Sequence, residues 1–174
     1  AHITDSVRVP VPVLLGLLRH WRASHQWHPG WRQAAGGTHV VDNSMRFFRL
    51  TLAYDGAAYA GWQVQANART IQAELEAALH RVTSERIRVV ASGRTDAGVH
   101  ALGQVVSFSS QTALPADVLR KALDANLPRD IAVCKVEEAS CDFHAIRDAV
   151  GKRYRYVIQD GAICDVFTRN YAWY

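Results

Sequence analysis

The sequence predicts an α+β fold, a mostly antiparallel sheet with helices on one face. Three observations carry this expectation. Apolar residues alternate with polar ones in short runs at 47–54, 86–91, 104–108, 131–136 and 153–158, which reads as five strands. Two other runs, opening after Thr70 and at Pro115, repeat their apolar residues at helical spacing. Their order is β-α-β-β-α-β followed by one more strand, the ferredoxin-like split arrangement. No internal repeat or low-complexity linker interrupts it.

Each element has a local reason. In strand one, Phe48, Leu50, Leu52 and Tyr54 alternate with Arg49 and Thr51, and Asp55-Gly56 ends it with a turn. The loop 57–67 carries Tyr59 and Trp62, which suit either stacking on nucleic-acid bases or packing beneath the loop. Thr70 is placed to cap helix one. From there Ile71, Leu75, Ala78, Leu79 and Val82 form a core stripe, with Gln72, Glu74, Glu76 and Arg81 expected outward. Strand two alternates Ile87, Val89 and Ala91, and strand three carries Val105, Val106 and Phe108. Pro115 suits a helix start, and Val118, Leu119, Ala122 and Leu123 form the apolar face of helix two. Asn126-Leu127-Pro128 stops it, because the residue before a proline is kept out of the helical region. On strand five, Tyr154 and Tyr156 would point to the same face.

Composition narrows the partners. The chain has 174 residues, 49% hydrophobic and 21% charged, as in a soluble globular protein with one sizeable core. A net charge of +4 and a pI near 9.2 permit a nucleic-acid partner without demanding one. Cys134, Cys141 and Cys164 are odd in number and lack C-x-x-C spacing. That argues against a disulfide framework or a zinc site and fits a reducing, cytoplasmic setting.

The first 44 residues differ from the rest. They hold five of the eight histidines and three of the five tryptophans, but no lysine or glutamate. Their apolar run 9–18 is broken by Pro10, Pro12 and Gly16 and is far short of the ~20 residues that span a bilayer. It also makes a poor signal peptide, and a short helix is expected over 13–22. Met45 is the only methionine. The expected organisation is therefore 1–44 as an extension outside the native fold, 45–150 as the ferredoxin-like domain, and 151–174 as the start of a further half. The alternative is an RNA-binding extension using Trp21, Arg22, Trp27, Trp31 and Arg32.

The chemistry concentrates in Gly93-Arg94-Thr95-Asp96-Ala97-Gly98-Val99-His100-Ala101. This loop packs a carboxylate, a guanidinium, a hydroxyl and an imidazole between two strands, where catalytic residues often sit. Asp96-Ala97-Gly98 also suits an ordinary turn in which Asp96 bonds its own backbone. Arg94, two residues away, can hold Asp96 ionised as a charge-assisted pair.

That stretch resembles the signature of the tRNA pseudouridine synthase A (TruA) family. The resemblance continues through Tyr54-Asp55-Gly56, Tyr59-Ala60-Gly61-Trp62-Gln63, Thr70-Ile71-Gln72 and Gly103-Gln104-Val105-Val106. Asn126-Leu127-Pro128, Asp130-Ile131, Phe143-His144-Ala145 and Lys152-Arg153-Tyr154-Arg155-Tyr156 follow in the family's order, so it covers about 45–174. It implies a pseudouridine-synthase type of ferredoxin-like fold whose second, similar half is missing here, leaving this chain alone inactive. It further implies uridine-to-pseudouridine isomerisation at positions 38 to 40 of the tRNA anticodon stem-loop, and a homodimer in the full-length protein. By the same resemblance Asp96 is the catalytic carboxylate, Arg94 its ion-pair partner and a holder of the nucleotide, and Tyr154 the ring against the base. The family usually has arginine directly after Phe-His-Ala; this chain has Ile146, with Arg147 one step later.

The implied reaction needs a flipped-out base and an ionised carboxylate near C1′ and C6 of the nucleotide. It has no redox step, so no small-molecule cofactor and no metal are expected. The sequence offers no Gly-x-Gly-x-x-Gly, P-loop or His/Cys ligand cluster for one. Whether Asp96 attacks C1′ or C6 stays open. His100 is expected to be structural. Arg147, Lys152, Arg153 and Arg155 suit either a solvated face or phosphate contacts with RNA. Two other functions fit the strand order or the carboxylate. An RNA-binding module of RRM-like topology would carry paired aromatics on strand three, where Gly103-Gln104-Val105-Val106-Ser107-Phe108 lacks them. A nucleoside hydrolase would need a second carboxylate or a metal near Asp96.

Overall fold

A computed structural model describes residues 44–174. The expected helix over 13–22 and the residues Trp21, Arg22, Trp27, Trp31 and Arg32 lie outside the described residues. The elements are β1 (Arg46–Tyr54), α1 (Ile71–Thr83), β2 (Val90–Ala91), β3 (Ala101–Ser110), α2 (Ala116–Asn126) and β4 (Ile131–Ala139). They form one four-stranded sheet in the order β2-β3-β1-β4, antiparallel at every neighbouring pair.

The alternation in β1 decides which face is apolar. Phe48, Leu50 and Leu52 are fully buried and join Tyr54 in the core. Leu50 stands opposite Val106 of β3 and Val136 of β4, and the Phe48 and Phe108 rings stack at 5.2 Å. Helix α1 covers this face with Ile71, Leu75, Ala78 and Leu79, and α2 with Leu119 and Leu123. Each of these leucine and isoleucine side chains contributes about 1.5–3 kcal/mol by leaving water. The opposite face is polar: Arg49 pairs with Glu137 at 2.7 Å and stacks over Phe143. There the segment after β4 crosses the sheet, and the Ala145 N–H donates to Ser107 Oγ at 3.2 Å.

Several expectations change. Gln72 is buried, not outward. Strand two shrinks from 86–91 to Val90–Ala91 because α1 takes the backbone groups before it. Glu76 accepts from the Val89 N–H at 3.2 Å and Gln72 donates to the Val89 carbonyl. Ile87 and Val89 still face the core. Strand three is longer than expected, and helix two buries only Leu119 and Leu123, with Val118 exposed. Strand five is absent: 153–157 carries no ladder, and Ile158 makes only an isolated bridge to Trp173. The sheet's edge strand β2 is itself only two residues long. Tyr154 and Tyr156 are therefore exposed.

The core assignment is checked by truncation. Leu50→Ala should lower unfolding free energy by about 2–5 kcal/mol in a denaturant titration, whereas Val118→Ala should stay within about 0.5 kcal/mol.

Candidate active site

The Asp96 loop runs from β2 to β3, and its backbone is hydrogen-bonded at Ser92, Gly93, Thr95, Asp96, Gly98 and Val99. Ser92 N–H donates to the Val105 carbonyl at 2.8 Å, and Gln104 Nε2 to the Gly93 carbonyl at 2.6 Å. Thr95 is gripped twice, by the Trp62 N–H on its carbonyl and by the Tyr54 hydroxyl on Oγ1, both at 2.9 Å. Past the turn closed by Val99 N–H on the Asp96 carbonyl, Gly98 N–H reaches the Tyr59 carbonyl at 3.2 Å.

This grip needs two glycines in the facing segment. At Gly61, φ is +91°, and an added Cβ would lie 2.6 Å from the Thr95 carbonyl oxygen. At Gly56 an added Cβ would lie 2.1 Å from the Val99 carbonyl oxygen. Both contacts are with backbone, which cannot swing aside. The facing segment is itself anchored on α1. The Ile71 and Gln72 N–H groups, left unpaired by the start of the helix, donate to the Gly61 and Trp62 carbonyls at 3.2 and 3.0 Å. Gln72 Oε1 accepts from Gln63 Nε2 and from the Val64 N–H. The amphipathic pattern put Gln72 on the solvent side and missed this role; its place two residues after the cap, beside a loop rich in backbone donors, was the available signal.

Tyr59 and Trp62 are buried, so they pack beneath the loop and are not placed to stack on bases. The Tyr59 hydroxyl donates to Asp130 at 2.6 Å, with the Arg69 guanidinium 4.6 Å above its ring. Burial, then the Asp130 carboxylate, pushes the Tyr59 phenol well above its ordinary range; burial likewise raises Tyr54.

At the apex, Asp96 and Arg94 are both exposed. Neither takes part in an ion pair among the described residues, so the expected Arg94–Asp96 pair is not formed there. The Lys152 side chain lies against Gly93, its Nζ 2.8 Å from where a Cβ would stand. Lys152 is thus brought to the base of the loop. Arg147 instead pairs with Asp148 at 3.0 Å and donates to the Asp142 carbonyl, beside an exposed Ile146. Arg153, Tyr154 and Arg155 are exposed, and among the described contacts none joins Tyr154 to Asp96. His100 ends the loop with Nδ1 2.9 Å from Asp55 Oδ1. Beside it opens a recess of about 360 Å³, whose lining includes Asp55, Leu102, Arg129 and Tyr171 but not Asp96. Among the described residues no group of three or more His, Cys, Asp or Glu could hold a metal ion, and no helix is long and apolar enough to cross a membrane.

The described residues thus form an antiparallel α+β domain that grips a glycine-bracketed loop and leaves the Asp96 carboxylate outward. Residues 51–146 match the family model described as tRNA pseudouridine synthase. The chain is 51% identical over 132 residues to the tRNA pseudouridine synthase A of Moorella thermoacetica, covering 75% of this chain and 54% of that one. It is 46% identical over 129 residues to the protein of that name from Listeria welshimeri, and 48% over 128 residues to that of Brevibacillus brevis. Both alignments cover 74% of this chain and 52% of the relative. The chain belongs to the tRNA pseudouridine synthase family. It spans about half the length of these curated relatives.

The glycine contact predicts a stability effect. Gly61→Ala should destabilise the domain by about 1–3 kcal/mol, through positive φ and the displaced Thr95 carbonyl. A lowered melting temperature, with faster amide exchange at Trp62, checks it.

Proposed function

We propose that this chain carries the catalytic half of a cytoplasmic tRNA pseudouridine synthase acting on uridines 38 to 40 of the anticodon stem-loop. Asp96 is the reacting carboxylate, in a homodimeric enzyme of the relatives' full length. In this reading 45–150 is a ferredoxin-like domain of the pseudouridine-synthase type. The element order and the sheet order β2-β3-β1-β4 support that reading. Residues 151–174 would open the following half. The observation that carries the function is the contrast within the Asp96 loop. Its backbone is bonded on both sides of Asp96, while the Asp96 side chain is exposed.

The reaction breaks the C1′–N1 bond of uridine, turns the base and joins C1′ to C5. A proton leaves C5 and N1 takes one up, so the product is an isomer. A flipped-out base is required, since neither atom can be reached in a stack. An exposed carboxylate on a rigid loop can meet the sugar or the base as a nucleophile, or stabilise positive charge at C1′. Fixing the loop beforehand removes the cost of ordering it in the transition state. Arg94 would hold the nucleotide, and Tyr154 would cover the base once its strand has a partner. Lys152, at the base of the loop, is the basic residue best placed for an adjacent phosphate; Arg153 and Arg155 extend the charge. Arg147 contributes less, since Asp148 already neutralises it.

Asp96→Asn, in the chain completed to the relatives' length, tests this reading. Asparagine keeps the size and the turn but loses the charge and the nucleophile. Pseudouridine formed per tRNA should fall by at least about a thousandfold, with tRNA affinity and melting temperature close to wild type. Activity within about tenfold of wild type in a folded, tRNA-binding variant would remove Asp96 from the mechanism.

A further inference from the structure

Three side chains far apart in sequence meet where the Asp96 loop enters β3. Asp55 follows β1, His100 precedes β3, and Tyr171 comes from near the end of the chain. Asp55 Oδ2 accepts from the Tyr171 hydroxyl at 2.9 Å, and Oδ1 accepts from the Ala57 N–H at 3.0 Å. His100 Nδ1 lies 2.9 Å from the same Oδ1, and its ring packs on Tyr171 with centroids 5.3 Å apart. None of these contacts is needed to bury the core.

The imidazole is held between two competing partners. Nδ1 also lies 3.2 Å from the Gly56 N–H, which it could bond only as an acceptor. Toward Asp55 it must donate. One nitrogen cannot do both, and the shorter, charge-assisted contact with the carboxylate decides that Nδ1 carries the hydrogen. The Asp55 charge therefore fixes both the tautomer and the tilt of a ring four residues from Asp96. Between them, the Val99 N–H closes the turn onto the Asp96 carbonyl.

We propose that Asp55 is a positioning carboxylate for the Asp96 loop, and that Tyr171 latches the chain segment around it onto that loop through Asp55 and His100. The proposal rests on Asp96 being the reacting carboxylate. Asp55 holds one end of the loop from outside the core, and the Tyr171 bond on Oδ2 keeps Oδ1 turned to His100. The Ala57 and Tyr171 hydrogen bonds hold the Asp55 carboxyl below the usual carboxylate range, and the same carboxylate pushes the Tyr171 phenol up. The signs are complementary. The Asp55 contribution is full above its unfolded value and is lost as pH falls through the lowered one. That of Tyr171 is full below the ordinary phenol value and is lost as pH rises through the raised one. The latch is thus closed across neutral pH. Arg129 and Asp130 are the other charged groups facing the same recess.

Two variants test the latch. Tyr171→Phe keeps the ring and removes only the hydroxyl; Asp55→Asn removes the charge. In the 174-residue chain, nitrogen NMR of His100 should show the hydrogen on Nδ1 in wild type and on Nε2 in Asp55→Asn. Amide exchange at Gly98 and Val99 should speed up about tenfold or more in Tyr171→Phe. In the chain completed to the relatives' length, each variant should lower kcat about tenfold to a hundredfold with KM for tRNA unchanged. The double variant should fall no further than Asp55→Asn alone. An unchanged His100 tautomer together with unchanged exchange, an unchanged kcat, or losses that multiply would each overturn the proposal. A wild-type completed chain that forms no pseudouridine would instead overturn the parent reading, and the NMR and exchange results would still decide the latch.

Discussion

The carbonyl oxygens of Thr95 and Val99 occupy space that a side chain at residues 61 and 56 would fill. Two backbones meet there with nothing between them, and the other features of the site follow from that approach. Because the segments are so close, the Trp62 N–H can reach Thr95 and the Gly98 N–H can reach Tyr59. Because both segments spend their backbone groups on each other, the Asp96 side chain is left outward on a loop that has little freedom to move. A carboxylate on a floppy loop would have to be ordered during each reaction, at a cost that pre-fixed geometry avoids.

The sheet and helices serve this contact. Tyr54 is the last residue of β1, so its ring is set by the core while its hydroxyl touches Thr95. Helix α1 contributes its first N–H groups and Gln72, tying the Gly61-Trp62-Gln63 stretch to the domain. Gln104 does the same from β3, bonding the Gly93 carbonyl and Ser92. Every element that borders the loop therefore makes a directional bond to it or to its neighbour. The polar face of the sheet is covered differently, by the segment after β4, whose continuation brings Lys152 to Gly93.

Strand β1, both helices and their caps were legible in the sequence because their apolar residues follow one period and their ends carry a threonine or a proline. The Thr70 cap, for instance, accepts from the Ala73 N–H as its type and place suggest. The Asp96 loop stood out for its chemistry, and the satellite motifs stood out only by resemblance; for those that carry Tyr54, Gly56, Tyr59, Gly61, Trp62 and Gln104 the structure supplies a physical reason, which is to cradle that loop. Gln72 was illegible because a pattern based on hydropathy assigns a glutamine to solvent, whereas here it satisfies four polar groups inside. Strand five was misread because alternation shows what a strand would bury, not whether a neighbour exists to pair with it. The Asp55–Tyr171 contact joins residues 116 positions apart and leaves no local trace.

In the proposed reaction the frame around Asp96 supplies placement as much as charge. Asp96→Glu keeps the charge and the exposed position but moves the carboxylate outward by one methylene. The direct measurement is the single-turnover rate of pseudouridine formation by this variant in the chain completed to the relatives' length, with tRNA affinity measured alongside. The account predicts a rate at least about a hundredfold below wild type with affinity unchanged. A rate within a few-fold of wild type would contradict it, because the carboxylate would then act without the geometry that the two glycines enforce.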